Sequence, residues 1–94
     1  MSGQAGLAEK KFVIKNKLGL HARPAALFVQ TANRFKCEVE IVKGRQKVNG
    51  KSIMGVITLG ATHDTQLMIV ADGPDEREAL DALEKLFENR FEED

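Results

Sequence analysis

The stretch GLHARP, residues 19 to 24, sets a histidine two positions ahead of an arginine-proline pair. An apolar helical periodicity begins there. From Ala22 onward, Ala25, Phe28, Val29, Ala32 and Phe35 recur at helical spacing. His21 therefore stands at or beside an N-cap. The first backbone N–H groups of a helix, starting with that of Ala22, lack internal acceptors and carry partial positive charge. A phosphate on or near the imidazole would find its donors there. Arg23 adds a planar guanidinium that can bind phosphate oxygens bidentately. Pro24 fits the first helical turn, stiffens it and restricts Arg23. Gly19 lets the preceding loop bend back. An imidazole near neutral pH keeps a free nitrogen lone pair, so it can act as a nucleophile toward phosphorus. Read alone, a single histidine is a weak cap or a surface residue. The arginine, the proline and the helix start around it favour chemistry.

Ser52 is the second candidate. It precedes IMGVIT, which reads as a short helix over about 53 to 58 with Gly60 near its end. A strand is the alternative, because Ile, Val and Thr favour one. Ser52 is a helix cap on spacing alone. A phosphate there would add negative charge at a helix start, where the fold tolerates it. Ile53, Met54 and Ile57 are too many apolar residues for so short a helix to bury. Some should form an exposed docking patch beside the anion site. The lysines and Arg45 between 43 and 51 read as a solvated face, and His63 as part of a polar turn.

The elements that must position these residues follow from periodicity. Residues 10 to 16 read as a strand. Cys37, Val39 and Ile41 alternate with Glu38 and Glu40 as in a half-buried strand, returning through KGRQ to a short strand QKVN. Residues 65 to 73 form a further strand. Residues 74 to 91 form the clearest helix, with Pro74 near its start, Asp75 and Glu76 favouring its positive end, and Leu80, Leu83, Leu86, Phe87 and Phe91 as its stripe. The order β-α-β-β-α-β-α predicts an α+β fold, a four-stranded, mostly antiparallel sheet with its helices on one face. One domain is expected over 9–91, with a flexible tail at 1–8 and a frayed acidic end at 92–94.

Composition narrows the function classes. The 94 residues are 43% hydrophobic but only 5% aromatic, so an aliphatic core is expected. Formal net charge is zero, with 14 basic and 14 acidic residues, which argues against a nucleic-acid binder driven by bulk charge. An RNA-binding αβ domain would want sheet aromatics, and there is no Tyr or Trp. A single cysteine, Cys37, cannot form an internal disulfide and reads as a buried thiol. With no signal-peptide pattern, a reducing, cytoplasmic setting is expected. No apolar run is long enough for a membrane span. One Cys and two distant His argue against a metal site. There is no glycine-rich phosphate loop and no carboxylate cluster for Mg²⁺. A chain that accepts phosphate without binding a nucleotide reads as a carrier rather than a kinase, and neither independent enzymatic turnover nor a cofactor is expected.

The motifs NKLGLHARPAALFVQTA and, further on, GKSIMGVITLGA resemble the HPr phosphocarrier family of the bacterial phosphoenolpyruvate-dependent phosphotransferase system. The resemblance runs from about residue 11 to 90. It implies an open-faced β-sandwich with three helices on one side of a four-stranded antiparallel sheet. It implies that His21 is phosphorylated on Nδ1 by enzyme I, with Arg23 as partner and Pro24 as the rigid element behind it. The phosphoryl group then passes to EIIA-type domains, of the sugar or the nitrogen branch. Ser52 matches the serine that HPr kinase/phosphorylase phosphorylates in many relatives, and Leu20, Ile53, Met54 and Ile57 fall in the docking region. Ile57 replaces the Met that the Gram-positive docking patch often carries, which argues against binding a catabolite-control transcription factor. A monomer is expected. The competing function is a regulatory module in which Ser52 controls a partner and His21 matters little.

Overall fold

The strand Gln66–Asp72 alternates buried Leu67, Ile69 and Ala71 with more exposed neighbours, the pattern of a strand covered on one face. It occupies the interior of a four-stranded sheet. The computed structural model describes residues 7–93. In chain order the elements are β1 (Ala8–Val13), α1 (Ala22–Ala32), β2 (Glu38–Lys43), β3 (Gln46–Asn49), α2 (Ile53–Thr58), β4 (Gln66–Asp72) and α3 (Glu76–Glu88), then a short 3₁₀ turn at Arg90–Glu92. The sheet order is β1-β4-β2-β3, with every neighbouring pair antiparallel. The α+β open-faced sandwich expected from the sequence is the architecture observed.

β1 starts two residues earlier than expected. Ala8 pairs with Ala71 and Glu9 with Val70, so Ala8 belongs to the sheet and not to a tail. Backbone pairing recruits these residues, and their side chains carry no strand signal. The rest of the expected tail, residues 1–6, lies outside the described residues. At the other end of β1 the pairing continues past Val13, where Ile14 donates to Thr65 O and accepts from Asp64 N–H.

The core combines aliphatic side chains from the sheet with an aromatic cluster. Phe12 stacks on Phe87 with ring centroids 4.7 Å apart, and Phe28 and Phe91 meet Phe87 edge-on at 6.3 and 4.9 Å. These four rings join β1, α1, α3 and the C-terminal turn. Composition predicted an aliphatic core, because a low aromatic content does not reveal that the few rings converge.

α3 is shorter than the expected 74–91. Asp75 is its N-cap residue, but its carboxylate accepts from the backbone N–H groups of Lys36 (2.8 Å) and Cys37 (2.9 Å), tying the start of α3 to the start of β2. The expected apolar stripe continues to Phe91, which lies beyond the helix. Arg90, Phe91 and Glu92 have φ of 53°, 53° and 63°, three successive left-handed residues. Such residues cost about 1–2 kcal/mol each. Full burial of a Phe recovers about 1.5–3 kcal/mol, and each aromatic pair adds about 0.5–1.5 kcal/mol. Phe91 is fully buried, so its packing offsets most of the strain.

Candidate functional site

The loop from Asn16 to Leu20 sets the position of His21. Gly19 has φ of 70°, and a Cβ on it would lie 2.4 Å from the carbonyl oxygen of Ala61. Glycine permits both the turn and the close approach. Leu20 N–H can then bond Ala61 O at 2.9 Å, which anchors the loop to the segment after α2. Asn16 is fully buried beneath this loop and donates through Nδ2 to Gly19 O at 2.7 Å.

His21 is the N-cap residue of α1, in extended conformation, and its side chain makes no capping bond. The first intrahelical bond runs from Ala25 N–H to His21 O at 3.0 Å. Pro24 is buried and has no N–H, so the N–H groups of Ala22 and Arg23 precede the helical ladder. The first turn carries no acidic residue. Arg23 is exposed and makes no ion pair among the described residues, which leaves its guanidinium available. The arrangement His21, Ala22, Arg23 and Pro24 read from sequence is therefore assembled at one helix start.

Tertiary folding adds a group that the sequence did not announce. The carboxylate of Glu93 reaches back to His21, with Oε2 at 3.0 Å and Oε1 at 3.3 Å from Nε2. Oε1 also accepts from Asn16 Nδ2 at 3.0 Å. The side chain of His21 is 37% exposed and that of Glu93 18%. An ionised carboxylate only accepts, so the bond requires the proton on Nε2. Nδ1 makes no hydrogen bond among the described residues. Glu93 falls in the end expected to fray, and the turn that delivers it carries the buried Phe91. Asp94 lies outside the described residues. No periodic signal pointed to Asn16 or Glu93. The one local hint was a polar residue followed by a glycine in a loop next to the histidine.

Ser52 caps α2 as expected, its Oγ accepting from Gly55 N–H at 3.1 Å. Gly60 follows the helix with φ of 61°, its N–H bonding Ile57 O. Ile53 and Met54 are exposed, at 41% and 65%, and Ile57 is half-buried. Leu20 corrects the docking expectation. It is buried in the core because its backbone is pinned to Ala61, so its side chain is not part of an accessible surface. Leu18, in the same loop, is exposed instead. Lys43 and Lys51 also differ from a purely solvated face, since their ammonium groups bond the carbonyls of Leu59 (2.8 Å) and Phe35 (2.7 Å). His63 is exposed beside Asp64 in a polar turn, as expected.

The cleft of about 430 Å³ on the uncovered sheet face is lined by Glu38, Val48 and Val70 among others, and not by His21. His21 lies outside this cleft, partly exposed at the start of α1. No group of three or more His, Cys, Asp or Glu side chains that could hold a metal occurs among the described residues. No helix among them is long and apolar enough to cross a membrane. Burial pushes the Cys37 thiol up to about 11, with the hydrogen bond to Asp75 adding to the shift.

The family model for the PTS HPr component phosphorylation site matches residues 8–89. The phosphocarrier protein HPr of Treponema pallidum is 49% identical over 81 residues, covering 86% of this chain and 92% of the relative. The HPr-like protein Crh of Bacillus subtilis is 48% identical over 77 residues, covering 82% and 91%. The crystal structure of HPr-C-His from Thermoanaerobacter tengcongensis superposes with a TM-score of 0.89 at 49% identity, covering 93% of this chain and 98% of that one. Fold, motif and relatives agree over nearly the whole described chain, and the protein belongs to the HPr phosphocarrier family of the bacterial phosphoenolpyruvate-dependent phosphotransferase system.

Proposed function

We propose that this chain accepts a phosphoryl group on Nδ1 of His21 from phospho-enzyme I and passes it to EIIA-type domains, without independent turnover. One observation carries the reading. His21 stands at the N-cap position of a helix with Nε2 engaged by a carboxylate and Nδ1 unbonded, next to two backbone N–H groups and an unpaired Arg23 among the described residues. In the transfer the Nδ1 lone pair forms the new bond to phosphorus as the bond to the donor breaks. The N–H groups of Ala22 and Arg23 and the Arg23 guanidinium then donate hydrogen bonds to the phosphoryl oxygens. Pro24 holds the turn. Ile53 and Met54, with the exposed part of Ile57, form the apolar docking surface. Ser52 is the site of regulatory phosphorylation by an HPr kinase/phosphorylase, where added charge would hinder docking. The protein works in the cytoplasm as a monomer, although a crystal structure of an HPr dimer from Thermoanaerobacter tengcongensis is among the similar folds.

Incubation with enzyme I and labelled phosphoenolpyruvate tests the reading. The label is expected to be acid-labile, base-stable and absent from His21→Ala. Label retained in that variant would remove His21 as acceptor. The second reading, a regulatory module, draws on the similarity to Crh, nearly as high as that to HPr. It would gain if a competent enzyme I left the wild type unlabelled while Ser52 phosphorylation created binding to a partner.

A further inference from the structure

We infer that Glu93 is a positioning residue for phosphoryl transfer at His21, holding the proton on Nε2 through the whole cycle. The inference rests on the carrier reading of His21 and concerns a residue far from the histidine motif. Its basis is the paired contact of the Glu93 carboxylate, at 3.0 Å to His21 Nε2 and 3.0 Å to Asn16 Nδ2. Asn16 cannot turn its amide without presenting an oxygen to both Gly19 O and Glu93 Oε1. The buried amide therefore fixes the carboxylate as the acceptor. Phe91, fully buried against Phe87, fixes the turn that carries Glu93. The carboxylate is thus held from two sides, which a freely rotating surface side chain is not.

The chemistry gives this proton a role. When Nδ1 attacks phosphorus with Nε2 protonated, the Nδ1–P bond forms, the P–donor bond breaks with its electron pair, and the ring becomes cationic. Glu93 faces that developing charge across a hydrogen bond of 3.0 Å, as a carboxylate orients and stabilises a histidine in acid-base triads. In onward transfer the P–Nδ1 bond breaks and its electron pair returns to Nδ1. With Nε2 still protonated, the ring leaves as neutral imidazole rather than as an imidazolate anion. Glu93 neither touches phosphorus nor moves a proton in this scheme.

Phosphoramidate, a small-molecule phosphoryl donor, tests the role without a partner protein. The ¹⁵N resonances of the His21 ring report the tautomer in the unphosphorylated protein. Glu93→Ala is expected to raise the fraction protonated on Nδ1 and to slow phosphoryl acceptance about tenfold, equivalent to about 1.4 kcal/mol. Glu93→Gln keeps an acceptor but loses the charge. It should retain the wild-type tautomer and recover only part of the rate, and it serves as the readout if Glu93→Ala proves poorly folded. Wild-type rates in both variants, or ring resonances unchanged in Glu93→Ala, would overturn the inference. Wild type that acquires no phosphohistidine would instead overturn the carrier reading, so the two failures are distinct.

Discussion

Replacing Gly19 with alanine should destabilise the protein by about 2–4 kcal/mol, and the structure separates the terms. Gly19 and Gly44 both have a left-handed φ, 70° and 58°, but a Cβ meets Ala61 O at 2.4 Å at the first and nothing within 4 Å at the second. A left-handed alanine costs about 1–2 kcal/mol. Reduced freedom of the unfolded chain returns about 0.4–1 kcal/mol. Gly44→Ala should therefore lose about 1 kcal/mol. Gly19→Ala carries the same term and must also move the loop away from Ala61. That movement breaks the Leu20 N–H bond to Ala61 O between two buried residues. Leaving such a pair unsatisfied costs about 1–3 kcal/mol. Urea denaturation of the wild type and both variants measures the difference, with unchanged m-values as the check on two-state behaviour. Phosphoryl acceptance should fall in Gly19→Ala under conditions where it remains folded, because the displaced loop leads directly into His21, and should stay normal in Gly44→Ala. Equal destabilisation by the two substitutions would refute the steric argument and leave only the φ term.

Ser52→Ala should lose about 0.5–2 kcal/mol through the missing cap on Gly55 N–H, read by the same urea titration. Two backbone N–H bonds, the one from Lys36 foremost, hold the Asp75 carboxyl below its ordinary value of 3.8. Its stabilising contribution is therefore complete above pH 3.8 and fades as pH falls through the lower folded value. Asp75→Asn should flatten the acid limb of the stability curve, and an unchanged limb would exclude the contribution. The Cys37 thiol, pushed up to about 11 mainly by burial, should react with iodoacetamide at neutral pH far more slowly in the native protein than in urea, as mass spectrometry over a time course would record.

What the sequence determined by itself was local. His21, Arg23 and Pro24 at a helix start, the Ser52 cap, Gly60 after α2 and the alternation in β4 depend on neighbours a few positions away, where periodicity and capping act. The order of elements then left few ways to cover one sheet face, so the architecture was legible as well. Tertiary structure decided what depends on contacts across the chain. Glu93 and His21 are 72 positions apart, and Glu93 and Asn16 are 77. No local pattern encodes such a meeting, and the turn that carries Glu93 is anchored by one buried phenylalanine. The burial of Leu20 and the exposure of Leu18 were settled in the same way, by a backbone bond to Ala61 that turns one leucine inward and leaves its near neighbour in water. Helix and strand periods show which residues share a face. Which distant segment arrives to complete the site depends on how the whole chain packs.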